Sequence, residues 1–240
     1  GRKVAFFEVG DLSQNQIMRR FMVRAAKRPF DKGKVRRPIN ITHAPDDPMA
    51  TVDFQEKEFK TDMSYKQALE ACQRVASKDK ETYLKLSVHP NDSISIHGIE
   101  SILESWERND NWSPDIVVLD YPDILAPPTK YDQGRDAINA TWKRMRAITQ
   151  SWHSLMVVAT QSDAASYRAQ RLDRTNFTED KRKLAHVNGM IGINVFEGEK
   201  EQMLTRLNWI VLREGEFNTD VDCHVAGALG IANPAVLSTF

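Results

Sequence analysis

The chain has 240 residues, with 33 Lys plus Arg against 33 Asp plus Glu, so its formal net charge is zero. That balance excludes a surface that is basic all over, and any nucleic-acid contact must come from a local patch. With 41% hydrophobic and 28% charged residues the composition fits one sizeable α/β domain or two small ones, and no apolar run approaches the length of a membrane-spanning helix.

Gly1-Arg2-Lys3 leads directly into Val4-Ala-Phe-Phe-Glu8, which reads as a strand. A domain that opens inside a strand implies missing upstream sequence. After the Gly10-Asp11 turn, Ser13 with Gln16 makes a capping box, and Ile17, Phe21 and Ala25 repeat every four residues in a helix to about Lys27. Residues 28–62 are mixed, with Arg36-Arg37 and a Pro-Asp-Asp-Pro turn at 45–48, and they read as an insertion or irregular hairpin. Ser64 with Gln67 opens a second capped helix whose stripe is Ala68, Leu69, Cys72 and Val75. Thr82 to Val88 alternates as a strand. Ser95 caps a helix carrying Ile99, Ile102, Leu103 and Trp106.

Next comes Asp115-Ile-Val-Val-Leu-Asp120, an apolar run ending in an acid and followed by Tyr121-Pro122. Such a run suits a strand buried on both faces. Gln133 to Trp152 spaces Ile138, Trp142, Met145, Ile148 and Trp152 as a helix, and Leu155 to Ala159 is another buried strand ending in Thr160-Gln161. Strands follow near 189–196, 207–213 and 220–227. The alternation predicts a mostly parallel, twisted sheet with helices on both faces, and the last two strands, with no helix between them, an antiparallel edge hairpin. Cys72, Cys223 and six scattered histidines show no zinc spacing, and a reducing, cytoplasmic setting is expected.

Three polar residues end three predicted strands: Asp11, Asp120 and Gln161. In a parallel sheet those ends share one edge, where open α/β sheets bind ligands. An acid for magnesium, an acid that orients water and an amide that senses phosphate suit phosphoanhydride hydrolysis, which needs positioning and charge compensation more than covalent help. Taken one at a time, each is an ordinary polar residue at a strand–loop junction. Residues 163–183 carry Arg168, Arg171, Arg174, Lys181, Arg182 and Lys183 with Tyr167 and Phe177 between them, a pattern for phosphate neutralisation and base stacking or for a solvated loop and helix face. Arg213 closes a strand, either as a surface arginine or as a finger reaching a neighbouring subunit's nucleotide. No G-x-x-x-x-G-K-[ST] occurs in the 240 residues, and Gly33-Lys34 lacks both the partner glycine and the hydroxyl.

Together these landmarks resemble the RecA-like motor domain of DnaB-type hexameric replicative helicases. Val4-Ala-Phe-Phe-Glu-Val-Gly-Asp11-Leu-Ser-Gln-Asn-Gln-Ile-Met-Arg-Arg20 is similar to the family's second strand and helix, and Ile116-Val-Val-Leu-Asp120-Tyr121 to its Walker B strand. Val157-Val-Ala-Thr-Gln161-Ser162 resembles the strand ending in its glutamine. Thr178 to Ile193 resembles the DNA-facing loop and next strand, and Trp209 to Arg213 the strand bearing its basic pair. The resemblance implies a RecA-like ATPase core over residues 1–240 without its first strand and phosphate-binding loop. It also implies an ATP-dependent helicase or translocase on single-stranded DNA, working as a homo-oligomeric, hexameric ring in DNA replication within a bacterial or virus-infected cell. Asp120 then holds magnesium and, with Tyr121, the nucleotide. Asp11 orients water, Gln161 reports the γ-phosphate, Arg213 acts across the interface, and the six cations of 168–183 meet DNA. The chain departs at four points: Asp11 replaces Glu, Asn188 replaces Asp, Gly215 stands where a second cation is expected, and residues 28–62 have no counterpart. A non-catalytic RecA-like assembly or recombination-mediator subunit is the alternative, and a packaging or circadian-type relative a third.

Overall fold

The computed structural model describes residues 1–43, 50–76, 81–129, 134–163, 166, 169–180, 182–218, 221–228 and 233–239. Among the expectations, the turn at 45–48, helix residue Gln133, and Tyr167, Arg168 and Lys181 lie outside the described residues. The elements in order are β1 (Val4–Val9), α1 (Gln14–Ala26), β2 (Gly33–Thr42), β3 (Thr51–Phe59), α2 (Tyr65–Val75), β4 (Leu84–His89), α3 (Ile96–Asp110), β5 (Ile116–Asp120), α4 (Gly134–Trp152), β6 (Leu155–Val158), α5 (Arg182–His186), β7 (Gly189–Asn194), α6 (Glu197–Glu201), β8 (Leu204–Leu212), β9 (Cys223–Ala228) and β10 (Asn233–Thr239). The chain divides into two compact units. Among the described residues no helix is long and apolar enough to cross a membrane.

The first unit comprises residues 1–16, 76–164 and 177–187. Its sheet is parallel with strand order β4-β1-β5-β6. The core on one face joins Ala5, Phe7 and Val9 of β1, Val117 and Leu119 of β5, Ile99 and Leu103 of α3, and Trp142, Met145 and Ile148 of α4. These positions repeat at two along the strands and at three or four along the helices, so one set of apolar side chains closes the layer. Phe7 stacks on Trp106 with ring centroids 5.6 Å apart, and Trp106 meets Trp112 edge-on at the same distance. Two of the expected caps lie in this unit: Gln16 N–H donates to Ser13 Oγ (3.4 Å) while Ser13 N–H donates to Gln16 Oε1 (2.8 Å), and Gly98 N–H donates to Ser95 Oγ (3.4 Å).

The second unit comprises residues 17–75, 165–176 and 188–240. β2 and β3 form an antiparallel pair in which Gly33 faces Phe59 and Thr42 faces Thr51. The Ser64–Gln67 capping box opens α2 as expected, with Ser64 N–H donating to Gln67 Oε1 at 3.0 Å and Gln67 N–H to Ser64 Oγ at 3.3 Å. The expected C-terminal hairpin is half of a four-stranded antiparallel sheet ordered β10-β9-β8-β7. Inside this unit lies a polar cluster. Arg206 Nε donates to Glu199 Oε1 at 2.5 Å and its Nη1 to Asp222 Oδ2 at 3.1 Å, and Arg171 pairs with the other oxygen of Asp222 at 2.8 Å. Asn194 Nδ2 donates to Asn208 Oδ1 at 2.8 Å, and Asn208 Nδ2 to the Leu172 carbonyl at 2.9 Å.

Candidate nucleotide site at the carboxyl edge of the parallel sheet

The parallel register brings the ends of β1, β5 and β6 side by side. Glu8 lies opposite Asp120, and Leu119 opposite Val158. Asp11 follows β1 by two residues and Gln161 follows β6 by three, so both leave the same edge as Asp120. The chain can turn at once after β1 because Gly10 has φ of +88°, a left-handed conformation that costs glycine little. Gly10 N–H still donates to the His89 carbonyl at 2.8 Å, which extends the β1–β4 ladder by one bond.

Asp11 and Gln161 are exposed, and Asp120 and Tyr121 are half-buried. Burial first, then the charges of Asp11, Asp123 and Asp120, pushes the Tyr121 phenol above its ordinary range. Gln161 joins the same edge through its backbone, whose N–H donates to Asp123 Oδ2 at 3.4 Å. The expected set Asp11, Asp120, Tyr121 and Gln161 therefore gathers within one unit. Arg213 belongs to the other unit, where it is exposed just past β8 and its N–H donates to the Asn188 carbonyl at 2.8 Å.

Two site residues escape the sequence reading. Glu8 is fully buried, its Oε1 accepts from Leu12 N–H at 2.9 Å, and its Oε2 is buried without a hydrogen-bond partner. Desolvation, with the charges of Asp120 and Asp11 adding to it, raises the Glu8 carboxyl above its ordinary value, while the hydrogen bonds from Leu12 and Asp11 N–H oppose the shift. The available signal was a lone acid inside an apolar run, since a carboxylate is seldom fully buried unless paired. Asp123 is the second, held in a short 3₁₀ turn over Pro122–Ile124 directly after β5.

The basic stretch is more engaged than expected. Lys183 is buried and ion-paired to Asp123 Oδ1 at 2.7 Å, which removes it from the expected DNA contacts, because a dry, paired ammonium presents nothing to a phosphate in solution. Arg174 Nε donates to the Ile210 carbonyl at 3.2 Å, and Arg171 pairs with Asp222. Arg182 pairs with the exposed Asp136 at 2.8 Å. Solvated pairs of that kind are weak, about 0–1 kcal/mol.

The carboxylates of Glu8, Asp11, Asp120 and Asp123 lie close enough to this edge to act on one another's or on Tyr121's titration, and Glu8 keeps a buried oxygen without a hydrogen-bond partner. Among the described residues no group of three or more His, Cys, Asp or Glu side chains is arranged to hold a metal ion.

No protein-family model and no curated protein matches the sequence. The structure is similar to a solved ATPase domain, with a TM-score of 0.72 at 12% identity over 99% of this chain and 75% of that one. It is also similar to a DnaB-like replicative helicase whose structure was described with its interactions with primase, with a TM-score of 0.66 at 13% identity over 93% of this chain and 49% of that one. The chain spans about half the length of that helicase. It has the RecA-like fold of DnaB-type motor domains, as its motifs suggest.

Proposed function

We propose that the chain is the core of an ATP-hydrolysing motor that moves along single-stranded DNA as a homo-oligomeric, hexameric ring. The observation that supports the reading is that Asp11, Asp120, Tyr121 and Gln161 all follow strand ends on the carboxyl edge of the parallel sheet, where this fold class binds nucleotides. Magnesium-bound ATP, when present, supplies the phosphoanhydride and the positive charge that this acidic edge lacks. Asp120 holds the metal, and Tyr121 flanks the nucleotide. Exposed Asp11 accepts a hydrogen bond from the attacking water and sets its approach. Gln161 donates to a terminal phosphate oxygen, and Arg213 serves the site of a neighbouring copy. Arg182 and Arg171, with Arg168, Arg174 and Lys181, supply the basic contacts to DNA phosphates.

The reading requires a phosphate cradle, and these 240 residues contain no G-x-x-x-x-G-K-[ST]. Among the described residues β6 ends its sheet, with Leu155 59% and Val157 47% exposed. An edge with exposed apolar side chains is suited to accept one more strand, and a strand leading into that cradle fits it.

The experiment is ATP turnover by the full-length protein with and without single-stranded DNA. Asp120→Asn is expected to lower turnover by roughly 100-fold, the scale of losing one charge-stabilising group. Unchanged turnover refutes the metal role. A second reading, a non-catalytic RecA-like subunit, is favoured by Asp11 being one methylene shorter than the usual glutamate; DNA binding without nucleotide turnover in the parent protein would select it.

A further inference from the structure

α5 carries a buried cation that the proposed chemistry leaves without a task. Lys183 Nζ lies 2.7 Å from Asp123 Oδ1 and 3.0 Å from Thr160 Oγ1. Thr160 Oγ1 donates to Asp123 Oδ2 at 2.6 Å, and Gln161 N–H points to that same oxygen at 3.4 Å. The Lys183 and Asp123 side chains are 11% and 16% exposed, and the ammonium sits 5.7 Å from the Trp142 ring centroid. This is a closed triangle of one cation, one carboxylate and one hydroxyl, drawn from α5, the turn after β5 and the residues after β6. The helix is tied down elsewhere as well: His186 Nε2 is 2.9 Å from Asn139 Oδ1, and Arg146 Nη1 donates to the His186 carbonyl at 3.2 Å.

A buried ion pair contributes little net stability over an apolar substitute, because desolvation offsets most of the attraction. What it does contribute is a fixed geometry, since each partner becomes costly to leave alone. Here the geometry fixed is the root of Gln161. Its backbone N–H and the preceding side chain both bind the carboxylate that Lys183 neutralises, so α5 cannot shift without pulling on Asp123 and Thr160.

We propose that Lys183, Asp123 and Thr160 form a bolt of positioning residues that couples α5, which Arg182 opens, to the placement of Gln161. The inference rests on the motor reading, in which Arg182 meets DNA and Gln161 meets phosphate. Under it, DNA bound at Arg182 acts on turnover through the bolt. Coupling between sites requires a shared element that both can bias, and this triangle is such an element.

The test uses the full-length protein with ATP and an unstructured single-stranded oligonucleotide. Thr160→Val removes the hydroxyl at nearly constant volume, and Thr160→Ser restores it. In Thr160→Val the stimulation of kcat by DNA is expected to fall roughly fivefold or more, the lower end of measured couplings, with KM for ATP unchanged. Thr160→Ser is expected to retain the stimulation. Amide exchange gives a readout that needs no turnover: in Thr160→Val the amides of Ala159 to Gln161 are expected to exchange faster, with α3 unchanged. Lys183→Met combined with Asp123→Asn removes both charges together, leaves no lone buried ion, and should reproduce the Thr160→Val behaviour. If the parent is stimulated by DNA and Thr160→Val is stimulated equally, the bolt is refuted and the motor reading stands. If the parent shows no DNA-stimulated turnover, the motor reading fails and the coupling fails with it. Unchanged exchange at Ala159 to Gln161 overturns the bolt in either case.

Discussion

Gly10→Ala tests whether the ledge that carries Asp11 is built as described. Gly10 has φ of +88°, and an added Cβ would stand 2.5 Å from Ile124 Cδ1, 3.2 Å from Asn91 Cβ and 3.3 Å from Asn91 Cα. The left-handed backbone costs an L-residue about 1–2 kcal/mol. Ile124 can rotate its terminal methyl away, but the Asn91 backbone has to give, and overpacking of this kind adds at least ~1 kcal/mol. The more restricted unfolded chain returns about 0.5 kcal/mol. The net expectation is a loss of about 2 kcal/mol. Urea unfolding followed by tryptophan fluorescence reads it well, because Trp106, Trp112, Trp142 and Trp152 lie in the first unit and Trp209 in the second. At a slope near 2 kcal/mol per molar urea, the midpoint of the first unit should fall by about 1 M. Gly134→Ala is the control: its φ of +54° is also left-handed, yet an added Cβ meets nothing within 4 Å, so it should cost only about 1 kcal/mol. Equal midpoints for parent and Gly10→Ala would refute both the turn geometry and the crowding.

Two further outcomes are expected. Glu8 has a carboxyl raised by burial, so the folded state holds its proton more tightly than the unfolded chain does; that stabilisation is complete below the ordinary Glu value and is lost as pH rises through the folded value. Glu8→Gln, neutral throughout, should therefore melt higher than the parent at pH 8, with the difference shrinking as pH falls to 5; a difference in Tm that does not change with pH would contradict this. Arg206→Met leaves Glu199, 4% exposed, and Asp222, 7% exposed, without their shared guanidinium, and should cost the second unit about 3–5 kcal/mol in a denaturant titration followed at Trp209. A loss under about 1 kcal/mol would show that the cluster relaxes or hydrates.

The parallel unit and α1 were legible in the sequence because β1, β5 and β6 are apolar runs, β4 alternates, and α1 and α3 carry apolar stripes behind the serine caps Ser13 and Ser95. Residues 28–62 read only as an insertion or irregular hairpin, and the bounds and faces of β2 did not show, because Val35, Pro38 and Ile41 are its buried residues and the register shifts between Pro38 and Asn40, breaking the alternation. β7 reverses the usual rule. Met190, Gly192 and Asn194 lie on its buried face, while Ile191 and Ile193 are 51% and 67% exposed. An apolar-in pattern would turn that strand over; the inward Asn194 is instead held by bonds to Asn208 Oδ1, the Arg206 carbonyl and the Leu172 N–H, all invisible from one strand alone. The same blindness hid the role of Lys183. A lysine in a basic run reads as solvated, and its partner Asp123 lies 60 residues away in the chain.

The two acids at the end of β1 are separated by environment more than by chemistry. Glu8 shares a sheet face with Asp120, because register partners in a parallel ladder point the same way, and it is shut off from water. Such a carboxyl is poorly placed to receive a proton from a water molecule in transit. What it does is accept from Leu12 N–H, which holds the turn that presents Asp11. Asp11 stands in solvent with a shorter side chain than a glutamate, so its reach depends more on where the backbone puts it. Gly10 and Glu8 are the two residues that fix that backbone, one by permitting the turn and the other by bonding across it. Under the proposed motor reading, a short side chain on such a ledge loses less positional freedom on meeting water than a longer one on a mobile loop would.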